Sequence, residues 1–172
     1  MILYLDFDGV LHADPVFLRN NQPHLDPEYG ALFMWASVLE AALADYPDVR
    51  IVLSTSWASV MGFEYARDAL PPSLGSRVID CVWRLSDYPK HGISKRAFNA
   101  LSRYEQVMLH AKTLGGGEWL AIDNNHHGWP AEMRHRLVLT QDYEGLSDPI
   151  AQMDLIKKLH LMHEAEVNSK PA

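Results

Sequence analysis

Short apolar runs alternate with stretches of helical spacing along the whole chain. The runs lie at residues 2–5, 51–53, 78–79, 119–122 and 137–139, and none alternates cleanly with polar residues. Such runs are typical of strands that are buried on both faces of a sheet. Strands that alternate with helices form parallel sheets with helices on each side. The pattern therefore predicts an α/β fold, a three-layer α/β/α sandwich around a parallel five-stranded sheet.

Helix signals fill the segments between the predicted strands. Apolar residues at positions 32, 36, 39 and 43 share one face of a helix that starts at Asp26-Pro27. A second helix is predicted for about residues 58–70, a third after a capping box of Ser102 and Glu105, and a last one from Pro149. Residues 12–26 lack periodicity and predict a long loop, which is often functional. Residues 1–164 are predicted to form one domain, followed by a frayed tail at 165–172.

Composition indicates a soluble intracellular domain. The chain has 172 residues, which suits a single domain, and no apolar run reaches the roughly 20 residues of a membrane helix. Its one cysteine, Cys81, cannot form an internal disulfide and is expected in the core. Cytoplasmic localisation and the absence of a membrane partner are the resulting expectations.

Charge is distributed unevenly along the chain. The net charge of −7 argues against nucleic-acid binding by the whole surface. Residues 84–103 are locally basic, with aromatic residues interleaved; the charged residues are Arg84, Asp87, Lys90, Lys95, Arg96 and Arg103, and the rings are Tyr88, His91, Phe98 and Tyr104. This segment either attracts an anionic substrate such as a nucleic-acid end, or is a solvated loop that packs its own aromatic rings.

Two carboxylates follow the first predicted strand. Asp6 and Asp8 are two positions apart, so their side chains point the same way if the strand persists that far. Carboxylates this close repel each other unless a cation lies beside them, and oxygen ligands suit Mg²⁺. Gly9 permits a tight turn or a close backbone approach. A turn or a helix cap is the alternative interpretation, since Asp and Gly are common in both.

Polar residues also follow the second and fourth predicted strands. Ser54, Thr55 and Ser56 precede a predicted helix, where hydroxyls and free amides form an anion site, or where Ser56 is a simple N-cap. Asp123 ends a buried run, which is costly without a partner, although Asp123-Asn124 also suits a turn. Ligands of open α/β sheets bind at the carboxyl ends of the strands, so these groups are expected to meet the two carboxylates of the first strand.

In this order the motifs resemble those of the haloacid dehalogenase (HAD) superfamily. Asp6-Phe7-Asp8-Gly9-Val10 is similar to its first motif, Thr55 with its flanking serines to the second, and Asp123-Asn124 to the fourth. Order and spacing match over about residues 1–140. The segments DFDGVLH, LSTSW, SRYEQV, AID and GLSDP resemble the HAD domains of Swiss Army Knife RNA-repair proteins most closely.

The resemblance implies a Mg²⁺-dependent phosphatase that works through an aspartyl-phosphate. It makes Asp6 the nucleophile and Asp8 the acid and base, and it assigns Mg²⁺ to the Asp6 carboxylate, the Asp8 backbone carbonyl and Asp123. Thr55 is expected to bind the phosphoryl oxygens. Gly9, His12, Ser54 and Ser56 are expected to line the substrate site.

The third motif of the superfamily is a lysine or arginine before the fourth strand. Arg103 fits best, directly after the Ser102 cap, while Lys95 and Arg96 are alternatives and any of them is otherwise a surface charge. Asn124 stands where the superfamily often has a second acid. Its amide is still able to accept a hydrogen bond from a metal-bound water, so Asn124 is kept among the expected metal-site residues.

The segments in which HAD proteins carry a cap domain are short in this chain, which predicts an open site. A bulky phosphorylated substrate such as a nucleic-acid end is therefore one expectation, and small phosphates also fit. His126-His127 suggests either a transition-metal ligand pair or, more simply, a surface loop. A phosphotransferase and a non-catalytic domain that binds metal or phosphate remain alternative functions.

Overall fold

A computed structural model of the chain describes residues 1–84, 93–115 and 117–169. Its strands are β1 (Ile2–Leu5), β2 (Val16–Arg19), β3 (Gln22–Leu25), β4 (Arg50–Leu53), β5 (Val78–Cys81), β6 (Trp119–Asp123) and β7 (Leu137–Leu139). Five of them form one sheet in the order β5-β4-β1-β6-β7, and every neighbouring pair is parallel. The predicted parallel five-stranded sheet is confirmed.

Seven α-helices connect and cover these strands in the described ranges. They are α1 (Ala36–Ala42), α2 (Ser56–Val60), α3 (Phe63–Asp68), α4 (Pro72–Gly75), α5 (Lys95–Asn99), α6 (Arg103–Thr113) and α7 (Pro149–Ser169). Short 3₁₀ turns lie at Pro27–Tyr29, Ala131–Arg136 and Gly145–Ser147. None of the helices in the described ranges combines the length and the hydropathy needed to cross a membrane.

Alternate residues of the central strand β1 pack into two separate apolar layers. Leu3 and Leu5 belong to a layer that includes Leu39 of α1 and Leu155 of α7. Tyr4 points to the opposite layer, which contains Phe98 of α5 and Val107 of α6. Both faces of the sheet are therefore covered by helices, as the absence of polar alternation in the strands predicted.

The helix predicted for residues 58–70 is wrong as a single element. The chain forms α2 and α3 instead, and Gly62 between them has a φ of 100°. L-residues rarely adopt that conformation and no α-helix continues through it, so glycine ends one helix and allows the next to start in a new direction.

The predicted start of the first helix at Asp26-Pro27 is also wrong. Asp26 caps only the 3₁₀ turn, and its Oδ1 accepts a hydrogen bond from the Glu28 amide. Gly30 and Phe33 both have positive φ, so α1 begins at Ala36. The apolar face of the helix was recognised correctly, because Ala36, Leu39 and Leu43 are buried.

Residues 12–26 contain a hairpin where the sequence predicted a loop. Strands β2 and β3 pair antiparallel around Asn20 and Asn21, both in the left-handed conformation that a tight hairpin turn requires. The short helix α5 was not predicted either. The last helix extends as far as Ser169, into the segment expected to fray, and Glu166 forms an ion pair with the Met1 amino group.

We expect Leu159→Ala to lower the free energy of unfolding by about 2–5 kcal/mol, because it opens a cavity between α7 and the sheet. Leu159 is completely buried, whereas Leu161 on the same helix is 53% exposed. Leu161→Ala is the matched control and should change stability by less than about 0.5 kcal/mol. Urea unfolding of both variants measures the difference; equal losses would contradict this assignment of the buried face.

Candidate active site

The carboxyl ends of the three central strands bring the predicted motifs together. The Asp6 amide donates to the Ile122 carbonyl at 3.1 Å, and the Ser54 amide donates to the Leu5 carbonyl at 2.9 Å. The first bond extends the pairing of β1 with β6 one residue past β1, and the second extends the pairing of β4 with β1 one residue past β4. Asp6, Ser54 and Asp123 therefore lie at one edge of the sheet.

Arg103 joins these three strand ends. It is the first residue of α6, directly after the N-cap Ser102 and within the capping box that Ser102 forms with Glu105. Its Nη2 lies 3.6 Å from Asp6 Oδ2 and its Nε lies 3.2 Å from Asp123 Oδ2, while Nη1 donates to the Ser54 carbonyl. The guanidinium group thus lies between two carboxylates from neighbouring strands.

The two other candidates for the third-motif base lie elsewhere. Lys95 and Arg96 are exposed in the first turn of α5, and neither forms an ion pair with a residue that the structure describes. Of the basic segment identified in the sequence, Asp87, Tyr88, Lys90 and His91 lie outside the described residues.

The carboxylate of Asp8 is held by two neutral donors. Trp57 Nε1 lies 3.0 Å from Oδ1 and 3.2 Å from Oδ2, and His12 Nε2 lies 3.0 Å from Oδ1. His12 Nδ1 accepts a hydrogen bond from the Phe33 amide at 3.2 Å. Because that nitrogen accepts, the proton of a neutral imidazole is on Nε2, and His12 donates to Asp8. His12 was expected to reach substrate; it is fully buried behind Asp8.

The second motif begins α2. Thr55 is the N-cap, and its Oγ1 accepts from the Trp57 amide at 3.3 Å, so the expected cap at Ser56 is wrong by one residue. Thr55 and Ser54 are buried, whereas Ser56 is exposed. The Thr55 hydroxyl retains its proton for a further acceptor, because in the cap it only accepts.

Comparison with models of protein families identifies the family of this chain. A family described as "HAD domain in Swiss Army Knife RNA repair proteins" matches residues 2–151. The chain belongs to this family. No curated protein and no solved structure matches the sequence of this chain. Membership of the HAD family indicates chemistry of the phosphohydrolase type.

Negative charge exceeds positive charge at the HAD motifs. Burial raises the pKa of Asp6 to about 7; Arg103 opposes this shift, and Asp123 and Asp8 add to it. Burial also raises the pKa of Asp123, again opposed by Arg103. One guanidinium group therefore faces two buried carboxylates, and a phosphate dianion would be repelled unless a further cation were bound.

The donor set fits the Mg²⁺ ion that HAD proteins generally use. Asp123 Oδ2 is buried and has no hydrogen-bond partner of suitable geometry, although Arg103 lies within ion-pair distance. Within the described ranges no three His, Cys, Asp or Glu side chains form a metal cluster, and His126 and His127 are exposed. Mg²⁺ is commonly held by only one or two carboxylates with waters, which Asp6 and Asp123 can supply.

Gly9 and Asn124 of the first and fourth HAD motifs are in contact. Gly9 has a φ of 68°, and a Cβ there would lie 2.4 Å from Asn124 Nδ2, so only glycine fits. Asn124 donates to Asp142 Oδ1 at 2.9 Å, and Thr140 Oγ1 donates to the Gly9 carbonyl at 2.7 Å.

Sequence reasoning missed Thr140 and Asp142, as well as the donor role of Trp57. Thr140 and Asp142 come directly after β7, and their position beyond a predicted strand end was the available signal. Nothing in the local sequence pattern around Trp57 specifies the direction of its indole N–H.

A cavity on another part of the sheet lies away from these motifs. It has a volume of about 350 Å³ and is lined by Ile2, Tyr4, Trp119 and residues of α6. Ile2 and Trp119 begin their strands, whereas Asp6 and Asp123 lie at the strand ends. The cavity therefore opens at the opposite edge of the sheet, and the HAD site is identified by its charges and not by its volume.

We expect Asp6→Asn to stabilise the metal-free protein at pH 8 by about 1 kcal/mol, or roughly 2–4 °C in Tm. Because the pKa of Asp6 is raised from its ordinary value of 3.8 to about 7, stability is lost progressively between these two pH values, and at pH 8 the buried carboxyl is ionised and the loss is complete. The gain should be smaller at pH 5, where Asp6 is protonated.

Thermal unfolding in EDTA at both pH values measures this effect. Asp48→Asn is the control, because Asp48 is exposed and loses the same charge. A loss of stability, or an equal gain at the two pH values, would contradict the charge imbalance.

Proposed function

We propose that this chain is a Mg²⁺-dependent phosphomonoesterase that forms an aspartyl-phosphate on Asp6. The observation that carries the proposal is the Arg103 guanidinium group between the buried carboxylates of Asp6 and Asp123, with Asp8 beside them. A structural ion pair would need one carboxylate, whereas the second leaves a negative site suited to a divalent cation, which in turn would attract a phosphoryl group.

The reaction has two displacement steps. An Asp6 carboxylate oxygen attacks phosphorus, the bond from phosphorus to the ester oxygen breaks, and Asp8 gives its proton to the leaving oxygen. Water then attacks the phosphorus of the aspartyl-phosphate while Asp8 accepts its proton. Phosphate departs and Asp6 returns to its carboxylate form. The phosphoryl group is thereby transferred to water.

The surrounding residues position charge and protons. The Phe7 amide donates to Asp6 Oδ1 at 2.8 Å and fixes the orientation of that carboxylate. Trp57 and His12 fix the orientation of Asp8. Arg103 offsets the negative charge of the phosphoryl group, and the Thr55 hydroxyl donates to one of its oxygens.

Mg²⁺ would be held by Asp6, by the Asp8 backbone carbonyl and by Asp123, with Asn124 nearby. When bound, it supplies the positive charge that offsets repulsion between these carboxylates and the phosphoryl oxygens. This role agrees with the burial of Asp123 Oδ2, which has Arg103 within ion-pair distance but no hydrogen-bond partner of suitable geometry in the described residues.

The proposed substrates are phosphate monoesters, including the phosphorylated ends of nucleic acids. An open site supports this range, since residues 12–26 hold a hairpin and no cap domain. Support for nucleic acid from the basic segment is limited: Phe98 is buried and the Tyr104 ring packs 5.1 Å from Trp129, so neither ring is free to stack on a base. The family's description, by contrast, names RNA repair proteins.

We expect Asp6→Asn to lower the rate of phosphate release by about 10³-fold or more, because no nucleophile remains. Wild-type protein is assayed with Mg²⁺ and with EDTA on acetyl phosphate, p-nitrophenyl phosphate, nucleotides, and oligonucleotides phosphorylated at either end. Asp48→Asn is the control and should retain full turnover. Full turnover by Asp6→Asn would remove Asp6 as nucleophile, and folded wild-type protein inactive on the entire panel would favour a binding domain.

We expect Asp8→Ala to lower kcat for the hydrolysis of alkyl phosphates by about 10²–10⁴-fold and kcat for p-nitrophenyl phosphate much less. The reason is that an alkoxide is a poor leaving group and needs a proton, whereas p-nitrophenolate does not. Steady-state kcat on both substrates gives the comparison. Equal losses on the two substrates would exclude Asp8 as the general acid.

A further inference from the structure

A small pocket lies between the β2–β3 hairpin and α2. It has a volume of about 90 Å³ and is lined by Asp8, Val16, Phe17, Leu18, Pro23, Ser56, Trp57, Val60 and Met61. Pockets for drug-sized ligands are typically about 300 Å³ or larger. This pocket is therefore of a size for one part of a substrate, such as a single ring.

The position of the pocket relates it to the leaving group of the proposed reaction. Asp8 is its acidic member, and Asp8 is the residue proposed to protonate the leaving oxygen. Asp6, Asp123 and Arg103 do not line it. A group bound here is thus next to the proposed proton donor, at a pocket that is separate from the Arg103 ion pairs.

The chemistry of the walls selects the kind of group. Apart from Asp8 and Ser56, the lining side chains are apolar, and Phe17 and Trp57 are aromatic. Among the described residues, none of the side chains that line the pocket is basic, so a second anionic group would be repelled by Asp8 with no positive charge to offset the repulsion. A polyol would lose hydrogen bonds to water that apolar walls do not replace.

Both sides of the pocket present apolar side chains to solvent. Phe17 is 48% and Leu18 is 50% exposed on the hairpin, and Val60 is 63% exposed on α2. The hairpin is also attached to α3, because the Tyr65 hydroxyl donates to Gln22 Oε1 at 2.8 Å. The exposed apolar surface is therefore held in place beside the pocket, ready to cover a ring.

We infer that this pocket is the leaving-group subsite and that it receives an uncharged planar ring. The inference rests on the proposed function. Two sources supply such a ring: the base of a nucleotide and the aromatic ring of a small phosphate ester. Phosphorylated sugars and other polyol phosphates lack it and should bind more weakly.

Binding of matched pairs of non-reacting or slowly reacting probes tests the inference without turnover. Phenylphosphonate is compared with methylphosphonate, and 5′-AMP with ribose 5-phosphate, by calorimetric titration of Asp6→Asn protein in Mg²⁺. In at least one pair, we expect the ring to tighten binding at least about tenfold, the discrimination typical of a small apolar pocket. Tighter binding in only one pair identifies the source of the ring.

Val60→Glu should reduce this ratio to near one, because it places a carboxylate at the pocket. Ile156→Glu is the matched control: Ile156 is 56% exposed on α7, close to the exposure of Val60, and the charge change is the same. The control should keep the ratio of the parent protein. Equal affinities within both pairs, or a ratio unaffected by Val60→Glu, would overturn the subsite.

Acetyl phosphate hydrolysis by the wild-type protein separates the two proposals. Its small leaving group carries no ring, so turnover of acetyl phosphate reports phosphoryl transfer alone. Turnover without ring preference would overturn the subsite and leave the phosphatase intact. Ring preference without turnover on any substrate would leave a ring-binding pocket but overturn the phosphatase, and with it the assignment of the pocket to a leaving group.

Discussion

The ion-pair arrangement around Arg103 is the constraint on which the site depends. Two buried carboxylates at the ends of adjacent strands repel each other, and the guanidinium group between them lowers that cost without removing it. The same group ties the start of α6 to these strands, because Arg103 is the first residue of that helix. The start of α6, the end of β4 and the two carboxylates are thus fixed relative to one another by one side chain.

A second set of contacts holds Asp8, and it links the chemistry to the hairpin. Trp57 donates to Asp8 and also lines the pocket between the β2–β3 hairpin and α2. His12 donates to the same carboxylate and accepts a hydrogen bond from the Phe33 amide. The left-handed backbone at Phe33, which delays the start of α1, lies at this anchor. Irregular backbone in this region is therefore associated with the orientation of Asp8.

Local sequence signals were sufficient to predict features that depend on interactions between residues close together in the chain. The capping box at Ser102, the buried runs of the sheet and the apolar face of α1 were recognised because each depends on residues within a turn or a strand. The division of residues 56–68 at Gly62 and the hairpin at residues 16–25 were missed. The exposed strand β2 carries no alternating pattern, and a glycine within a helical pattern is equally compatible with continuation. The assignment of Arg103 over Lys95 rests on a contact between distant parts of the chain.

The amino-acid sequence by itself determined the parallel sheet, the edge at which the motifs meet, the identity of Asp6, Asp8, Thr55 and Asp123 as candidate residues, and the resemblance to the HAD superfamily. These follow from strand periodicity and from the order of motifs, which are properties of the chain as written. Tertiary structure alone decided which base reaches the carboxylates, which donors hold Asp8, and that His12 is buried. Those features depend on side-chain directions between residues far apart in sequence, such as the 49 positions that separate Asp8 from Trp57, and no local pattern encodes them.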